Sequence, residues 1–142
     1  MLVRLMYASR SSDPVSAALI ESILEQSRRN NPPLGITGVL CQGGDVFMQV
    51  LEGGRTPVNQ LYGEILRDGR HRDVVLLSYE EICERRFSGW TMGQVNLAKI
   101  NPSTLLKYCE KATLDPYAMS GTVMMAFLDE LIATAQIIGR AG

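Results

Sequence analysis

The feature that most constrains the fold is a segment, DVFMQVLEG (45–53), that would be apolar on both faces of a strand. Alternate residues of a strand point to opposite faces, so Phe47 and Leu51 point one way while Met48 and Val50 point the other. Because an apolar sheet face must be buried, both faces of this strand need cover. We therefore expect helices on both sides of a sheet.

The remaining elements follow from changes in the period of the apolar residues. Residues 2–9 alternate as in a strand, whereas residues 19–24 carry the apolar stripe of a helix. Asp13 and Pro14 suit a helix start, because an Asp side chain caps free N–H groups and Pro fits the first turn. The predicted elements are a strand over 2–9, a helix from Asp13-Pro14 to about Asn30-Asn31, a strand from Leu34, a Gly43-Gly44 turn into the strand DVFMQVLEG, a helix from Thr56-Pro57, and strands over about 74–82 and 90–95.

The order βαββαββ predicts an α+β fold, a ferredoxin-like sandwich with a mixed five-stranded sheet and two helices on one face. Two further helices, opened by Asn101-Pro102 and Asp115-Pro116, are predicted to cover the other face. We therefore expect a division of the chain into a sandwich over 1–97 and a helical segment over 98–142.

Composition and charge exclude several classes of protein. The 142 residues suit one domain, and a net charge of −1 without a basic stripe argues against a nucleic-acid partner. No run approaches the roughly 20 apolar residues of a membrane span, and no signal peptide is recognisable. Cys41, Cys83 and Cys109 are widely spaced and His71 is the single histidine, so we expect no disulfide framework, no metal site and a cytoplasmic location.

Gln49 is the most informative candidate for a functional residue. It is a polar side chain on the same predicted strand face as Phe47 and Leu51, where alternation predicts core. A buried carboxamide without partners costs about 1–3 kcal/mol, so something must satisfy it. Tyr7, on the inward face of the first strand, can do so with its hydroxyl. Two interpretations remain: a structural pair in the core, or part of a binding site.

Further groups on the two helices face the same space. Asn31, at the end of the first helix, offers a donor and an acceptor, although it also suits a helix cap. Ile23 and Ile65 lie at comparable places on the two apolar stripes. They are typical core residues, and they also suit a pair of helices that clamp a flat ring.

The turn after the second helix carries a compact cationic cluster, Arg70, His71 and Arg72, beside Asp68. A solvated turn explains such a cluster, and the same groups suit a phosphate or ribityl tail.

The last predicted strand carries Trp90 and Met92 on one face, where both residue types usually pack. No pair of nucleophile and base stands out, and the chain has no GxSxG motif and no P-loop, so hydrolysis and phosphoryl transfer have weak support.

Five short segments are specific in combination. They are the strand around Tyr7, SRRNN (27–31) running into NPPLGITG (31–38), FMQVLEG (47–53), RDGRHRD (67–73) and FSGWTM (87–92). Together, in this order over residues 1 to about 97, they resemble the BLUF domains, blue-light sensors that use FAD. We see no departure from the family pattern at the photochemical positions.

The resemblance implies a flavin ring between the two helices, held by Ile23 and Ile65, with Asn31 at its pyrimidine edge and Gln49 between the ring and Tyr7. It implies that Tyr7 gives an electron and a proton to the excited flavin. Gln49 would then rotate or tautomerise and form a new hydrogen bond to the flavin carbonyl.

The resemblance also assigns the remaining site residues. Met92, together with Trp90, would report the change at Gln49 to the sheet. FAD is the expected cofactor, although FMN or riboflavin would fill the same pocket. The predicted flavin-binding residues are Tyr7, Ile23, Ser27, Asn30, Asn31, Gln49, Ile65, Asp68, Arg70 and His71, and the predicted photoactive residues are Tyr7, Gln49, Trp90 and Met92.

By the same resemblance, residues 1–97 are the flavin-binding photosensor, and residues 98–142 are a cap and output segment without enzymatic activity. The expected partner is a separate signalling protein, with a cyclic-dinucleotide enzyme or a response regulator as candidates. The apolar last helix also predicts self-association into a homo-oligomer.

Two alternatives remain at this point. The first is a small acylphosphatase-like hydrolase that uses Arg70 or Arg72 with an Asn. The second is a cofactor-free interaction module in which Tyr7 and Gln49 only stabilise the core. Both predict a colourless protein.

Overall fold

The strands and helices follow the order βαββαββ and continue into two further helices, in a computed structural model that describes residues 1–140. The predicted α+β class and element order are confirmed. The strands are β1 (Leu2–Ser11), β2 (Thr37–Gly43), β3 (Val46–Gly54), β4 (His71–Ile82) and β5 (Gly93–Asn96), the helices are α1 (Ala17–Asn30), α2 (Arg55–Arg67), α3 (Pro102–Tyr108) and α4 (Gly121–Ala133), and 3₁₀ turns lie at Pro32–Leu34, Leu97–Lys99 and Pro116–Ala118.

The five strands form one mixed sheet in the order β4-β1-β3-β2-β5. β1 runs antiparallel to both β3 and β4, β2 is antiparallel to β3, and β5 is parallel to β2. In the central pair, Tyr7 of β1 lies directly opposite Gln49 of β3. The register of the sheet therefore brings the two candidate residues together.

Hydrophobic cores lie on both faces of the sheet, as the two-faced strand predicts. Phe47 and Leu51 belong to the core beneath α1 and α2, while Met48 and Val50 belong to the core that α3 and α4 cover. All four side chains are fully buried. The sheet is therefore covered on both sides, and the cleft described below opens on the α1–α2 side.

Two helices begin later than predicted. α1 starts at Ala17, where the Ser16 hydroxyl accepts a bond from the Leu19 N–H, and residues 14–16 are extended. Asp115-Pro116 opens only a 3₁₀ turn, and α4 begins at Gly121 with Ser120 as its cap. In both places the capping oxygen comes from a serine further along the chain. Ser and Asp are about equally good at accepting bonds from the free N–H groups of a first helical turn.

The two outer connections of the sheet also differ from the prediction. β2 begins at Thr37, because Pro32–Leu34 forms a 3₁₀ turn, and β5 begins only at Gly93. A bond from the Trp90 N–H to the Phe87 carbonyl closes a turn before β5. Trp90 and Met92 therefore do not lie in a regular strand, and the alternation that would place them on one face does not apply.

Residues 1–140 contain no helix that combines the length and the apolar character needed to cross a bilayer. In the same part of the chain, no group of three or more His, Cys, Asp or Glu side chains is placed to hold a metal ion. Cys41, Cys83 and Cys109 are free thiols.

Candidate functional site

A cleft opens between α1 and α2 above the centre of the sheet. Its empty space measures about 670 Å³, including the part that is open to solvent. All ten residues predicted to bind a flavin line it, so the structure brings the whole predicted set together. The lining consists of Tyr7, Ile23, Gln26, Ser27, Asn30, Asn31, Leu34, Gln49, Leu61, Glu64, Ile65, Asp68, Arg70 and His71.

Four lining residues escaped the sequence analysis, and helical periodicity could have found two of them. Gln26 follows Ile23 by three positions and Leu61 precedes Ile65 by four, spacings that place side chains on one helix face. Glu64 and Leu34 carry no comparable signal, because Glu64 is exposed and Leu34 lies in a 3₁₀ turn.

The floor of the cleft is a chain of three buried side chains. The Tyr7 hydroxyl donates to Oε1 of Gln49, and Nε2 of Gln49 lies 3.3 Å from Sδ of Met92. Their exposed fractions are 1%, 4% and 0%. This series of side chains runs from β1 through β3 to the segment before β5, so it connects the two central strands to the start of β5.

The Tyr7 hydroxyl remains a donor over a wide pH range. Burial raises the pKa of this phenol well above its ordinary value, and the nearby Tyr62 and Asp68 raise the pKa further. A protonated phenol can donate to the Gln49 carbonyl oxygen, as the geometry shows. The Tyr7–Gln49 bond therefore does not depend on pH near neutrality.

Asn31 presents a carboxamide that its own helix does not use. The Asn31 N–H donates to the Ser27 carbonyl, and its own carbonyl accepts from the N–H groups of Leu34 and Ile36. Within residues 1–140, no hydrogen bond is formed by the Asn31 side-chain amide, although the residue is only 3% exposed and lines the cleft. This group is free to bond a ligand that carries amide-like donors and acceptors.

An ion pair stands at the mouth of the cleft. The Arg70 guanidinium donates to Oδ1 of Asp68 at 3.1 Å and to Oδ2 at 2.7 Å, and it reaches Oε1 of Gln26 on α1 at 3.0 Å. The hydrogen bond from Arg70 is the main cause that lowers the pKa of Asp68. Arg72 does not join this group, because it is exposed and pairs with Asp73.

His71 lies deeper, beside the floor. Its Nδ1 is 2.9 Å from the hydroxyl of Ser9, a fully buried residue of β1, and its ring meets those of Tyr7 and Phe47 edge to face. Burial lowers the pKa of His71, so the imidazole is neutral at neutral pH. Ser9 was missed by the sequence analysis, although it follows Tyr7 by two positions on the same strand face.

Trp90 lies on the opposite side of the sheet from Met92. Met92 belongs to the core beneath α1 and α2, whereas Trp90 belongs to the core beneath α3 and α4. The prediction that the two side chains share a face is therefore wrong, because both residues precede β5 and do not lie in a regular strand. Among residues 1–140, no hydrogen-bond partner reaches the buried indole N–H of Trp90, and the guanidinium of Arg140 lies 5.1 Å from the ring centroid.

This set of groups fits a flavin. Ile23 and Ile65 supply apolar walls, and the amides of Asn31 and Gln49 supply paired donors and acceptors for the edge of a ring. Asp68, Arg70 and His71 add polar groups to the lining that suit a hydroxylated tail. Mostly apolar walls with a few converging polar groups are typical of cofactor sites.

Comparisons with known proteins agree with this arrangement. The family described as sensors of blue-light using FAD, BLUF, matches residues 2–93. The structure is similar to that of BlsA in its photo-activated state, with a TM-score of 0.81 and 31% identity over 93% of this chain and 95% of that one. It is also similar to the dark-state structure of BlrB, a BLUF protein, with a TM-score of 0.77 and 34% identity over 94% of this chain and 96% of that one.

A sequence relative of different size is the photoactivated adenylate cyclase subunit beta of Euglena longa. It is 36% identical over 92 residues, which are 64% of this chain and 11% of the relative. The chain thus spans only a small part of that protein.

Proposed function

The chain belongs to the BLUF family, the sensors of blue light using FAD, and from that premise we propose a role for each side chain at the floor of the cleft. The protein is a flavin-binding blue-light photoreceptor that signals through partners. Its family is one of sensors, which confirms the prediction of a receptor rather than an enzyme.

Tyr7 is the proposed electron and proton donor. A flavin held in the cleft would supply the chromophore, and Tyr7 on the floor of the cleft is the residue that would give an electron to its excited state. The Tyr7 hydroxyl is held as a donor by burial and by its bond to Gln49, so a proton that leaves Tyr7 has a path through the carboxamide. The separation of Tyr7 from solvent keeps that proton within the site.

Gln49 is the proposed switch, and its contact with Met92 carries the proposal. A thioether sulfur only accepts hydrogen bonds, so only the NH₂ end of Gln49 suits Met92. The Tyr7 hydroxyl can donate or accept, so it can bond either end of the amide. When the amide turns over, Tyr7 keeps a partner while Met92 faces an oxygen and must move away. Met92 is therefore the proposed relay.

FAD is the proposed occupant, with FMN or riboflavin as alternatives. Asn31, with its unused carboxamide, is the proposed partner of the pyrimidine edge. Ile23 and Ile65 would hold the ring, and His71 and Arg70 lie where the tail would begin. These contacts reach the ring and the near end of the tail, which all three flavins share.

The hydrolase alternative loses its basis. Arg70 is held by Asp68 and Gln26, and Arg72 is paired with Asp73, so neither guanidinium points into the cleft as a free anion-binding group. The cofactor-free alternative conflicts with the family of sensors using FAD to which the chain belongs.

Residues 1–97 are the proposed photosensor and residues 98–142 the proposed cap and output segment, acting on a separate partner. The candidates are a cyclic-dinucleotide enzyme and a response regulator, and the relative named a photoactivated adenylate cyclase supports only the broader class of cyclic-nucleotide enzymes. Three free thiols support a reducing, cytoplasmic setting.

Self-association also stays a proposal. α4 gives it little support, because Phe127 and Leu128 are buried in the core of the same chain and are not exposed to a second copy.

The absorption spectrum tests the proposed function. The purified protein should be yellow, should shift slightly to longer wavelength under blue light and should recover in the dark. Tyr7→Phe removes the donor hydroxyl and should abolish the shift while flavin stays bound, because the apolar walls are unchanged. A normal shift in the Phe variant would show that Tyr7 is not the donor, and a colourless wild-type protein would refute the receptor itself.

A further inference from the structure

The segment Gln136–Arg140, which follows α4, lies across the start of β5, and we call it the strap. Ile138 and Gln94 exchange two backbone hydrogen bonds, at 3.0 and 2.9 Å. Ile137 is buried so closely against Gly93 that a Cβ on that glycine would lie 2.6 Å from Ile137 Cγ2. The strap thus adds an isolated bridge to the free edge of β5.

The strap and the photoactive site meet at three consecutive residues, Met92, Gly93 and Gln94. Met92 contacts Gln49 through its sulfur, and its carbonyl accepts a bond from Arg28 of α1 at 3.2 Å. The next residue is covered by Ile137 and the one after it pairs with Ile138. A displacement of Met92 therefore acts directly on the two anchors of the strap.

Arg28 ties α1, Met92 and the strap together. Gly139 has a φ of +88°, and a Cβ built on it would lie 2.9 Å from the Arg28 guanidinium and 3.8 Å from the Met92 carbonyl oxygen. Arg28 itself is exposed, so its role is not to fill the core.

The far end of the strap covers Trp90. Arg140 lies over the indole ring, and within residues 1–140 the indole N–H is buried without a partner. The Arg140 side chain is exposed, and a cation–π contact at an exposed site contributes only about 0.5–1 kcal/mol. The far end of the strap is therefore held weakly.

On these grounds, and resting on the proposed function of Gln49, we propose that Arg28 and the strap hold Met92 beside Gln49 in the dark and that the strap detaches when Gln49 turns over. α4 is a less suitable output element, because Phe127, Leu128 and Leu131 have no exposed surface and anchor the core. The strap, in contrast, has one buried apolar anchor, Ile137, beside its two backbone bonds, and its Ile138 is 57% exposed. Segments with few buried contacts are the ones that open locally.

Hydrogen exchange on the flavin-loaded full chain tests this release. The amides of Gln94 and Ile138 should exchange about tenfold faster or more under continuous blue light than in the dark, because both lose a bond. Amides in the middle of α4, such as that of Leu128, should keep their protection. The absorption shift is read in the same sample.

A normal shift with equal exchange of Gln94 and Ile138 in light and dark overturns the strap proposal and leaves the receptor function intact. Absence of the shift overturns both. Loss of protection in α4 together with the strap also overturns the proposal, because the whole cap would then be the moving element.

Variants of α1 test the role of Arg28 as a positioning residue. Arg28→Met should keep the red shift, speed exchange of the Ile138 amide in the dark and slow the dark recovery roughly three- to tenfold, because a charge-assisted bond to the dark position of Met92 is lost. Arg29→Met, an exposed neighbour, is the matched control and should behave as wild type. Arg28→Lys, which keeps a donor, should restore part of the recovery rate. Equal recovery of the Arg28→Met and Arg29→Met variants contradicts the role of Arg28.

Discussion

Gln49 has two neighbours of unequal hydrogen-bonding capacity, and this difference fixes its orientation. The Tyr7 hydroxyl can donate to the amide oxygen or accept from the NH₂ group, whereas the Met92 sulfur can only accept from the NH₂ group. A single weak contact therefore decides which of two similar arrangements is populated in the dark. A switch needs such a small difference, because a large one could not be reversed by a local event.

Replacement of Met92 by Leu removes the sulfur and keeps the volume. The red shift should remain, because Tyr7 and Gln49 are untouched, and the dark recovery should slow by up to about fivefold, the factor for a contact of at most ~1 kcal/mol. Flash photolysis of the flavin absorption measures the rate. Met48→Leu, the same change in the opposite core, is the control and should recover at the wild-type rate. An unchanged rate in Met92→Leu would show that the sulfur does not hold Gln49.

The same sequence signal that marks Gln49 also marks residues that were overlooked. Ser9 and Glu52 are polar side chains in apolar strands, and both are fully buried. Gln49 was recognised because its strand neighbours are all hydrophobic. Ser9 bonds to a residue of β4, and Glu52 bonds to the β4–β5 connection. Because these partners are distant in sequence, local periodicity carries no information on them.

At the scale of elements, the connection between β4 and β5 is fixed at one end. The Glu52 carboxylate accepts bonds from the backbone N–H groups of Arg86 and Phe87, at 3.0 and 2.7 Å, and from Arg4 at 2.9 Å. The other end of the connection carries Met92. We therefore expect the movement proposed for Gln49 to be confined to the few residues between these points and to the strap.

Loss of the Glu52 charge should destabilise the fold strongly. Glu52→Gln leaves Arg4 partly unpaired and turns an NH₂ group toward backbone donors, so the free energy of unfolding should fall by about 3 kcal/mol. Glu80 pairs with the same arginine but is half-exposed, so Glu80→Gln should cost less than about 1 kcal/mol. Urea denaturation of both variants measures the difference. Equal losses would mean that the buried carboxylate does not anchor the connection.

Element types were predictable from the sequence, while several boundaries were not. The strand and helix periods of β1, α1, β3 and α2 are long enough to be read locally. Two residues suit the cap of each helix: Asp13 or Ser16 for α1, and Asp115 or Ser120 for α4. Tertiary packing decides which of the two begins the helix. The start of β5 depends on a turn in which the Trp90 N–H donates to the Phe87 carbonyl, and this bond is seen only in the structure.

At the scale of the whole molecule, one sheet separates two cores with different tasks. The core beneath α1 and α2 contains the cleft, and the core beneath α3 and α4 lies on the other face. The two-faced strand β3 belongs to both, which is why a single segment of sequence predicted cover on both sides. The ten flavin-binding candidates were predicted from resemblance and residue type together, and the cleft that unites them follows from the packing of α1 and α2 on that strand.

Because both cores share the sheet, a destabilising substitution in the core beneath α3 and α4 should also affect the cleft. Phe127→Ala should lower the free energy of unfolding by about 3–5 kcal/mol, since a fully buried aromatic ring leaves a cavity. Flavin release and loss of helical circular dichroism should occur in one transition. Met125→Ala, a partly buried position on the same helix, should cost less. Two separate transitions would show that the cap folds independently of the sensor.

The turning of Gln49 is the centre of the account, and the light-minus-dark absorption spectrum of Gln49→Leu tests it most directly. Leu has nearly the shape of the amide but neither donor nor acceptor, so the protein should remain yellow and fold normally. Under blue light the variant should show no red shift, while wild type measured beside it shifts and recovers in the dark. A red shift of wild-type size in the Leu variant would contradict the account, because the spectral change would then arise without an amide to turn.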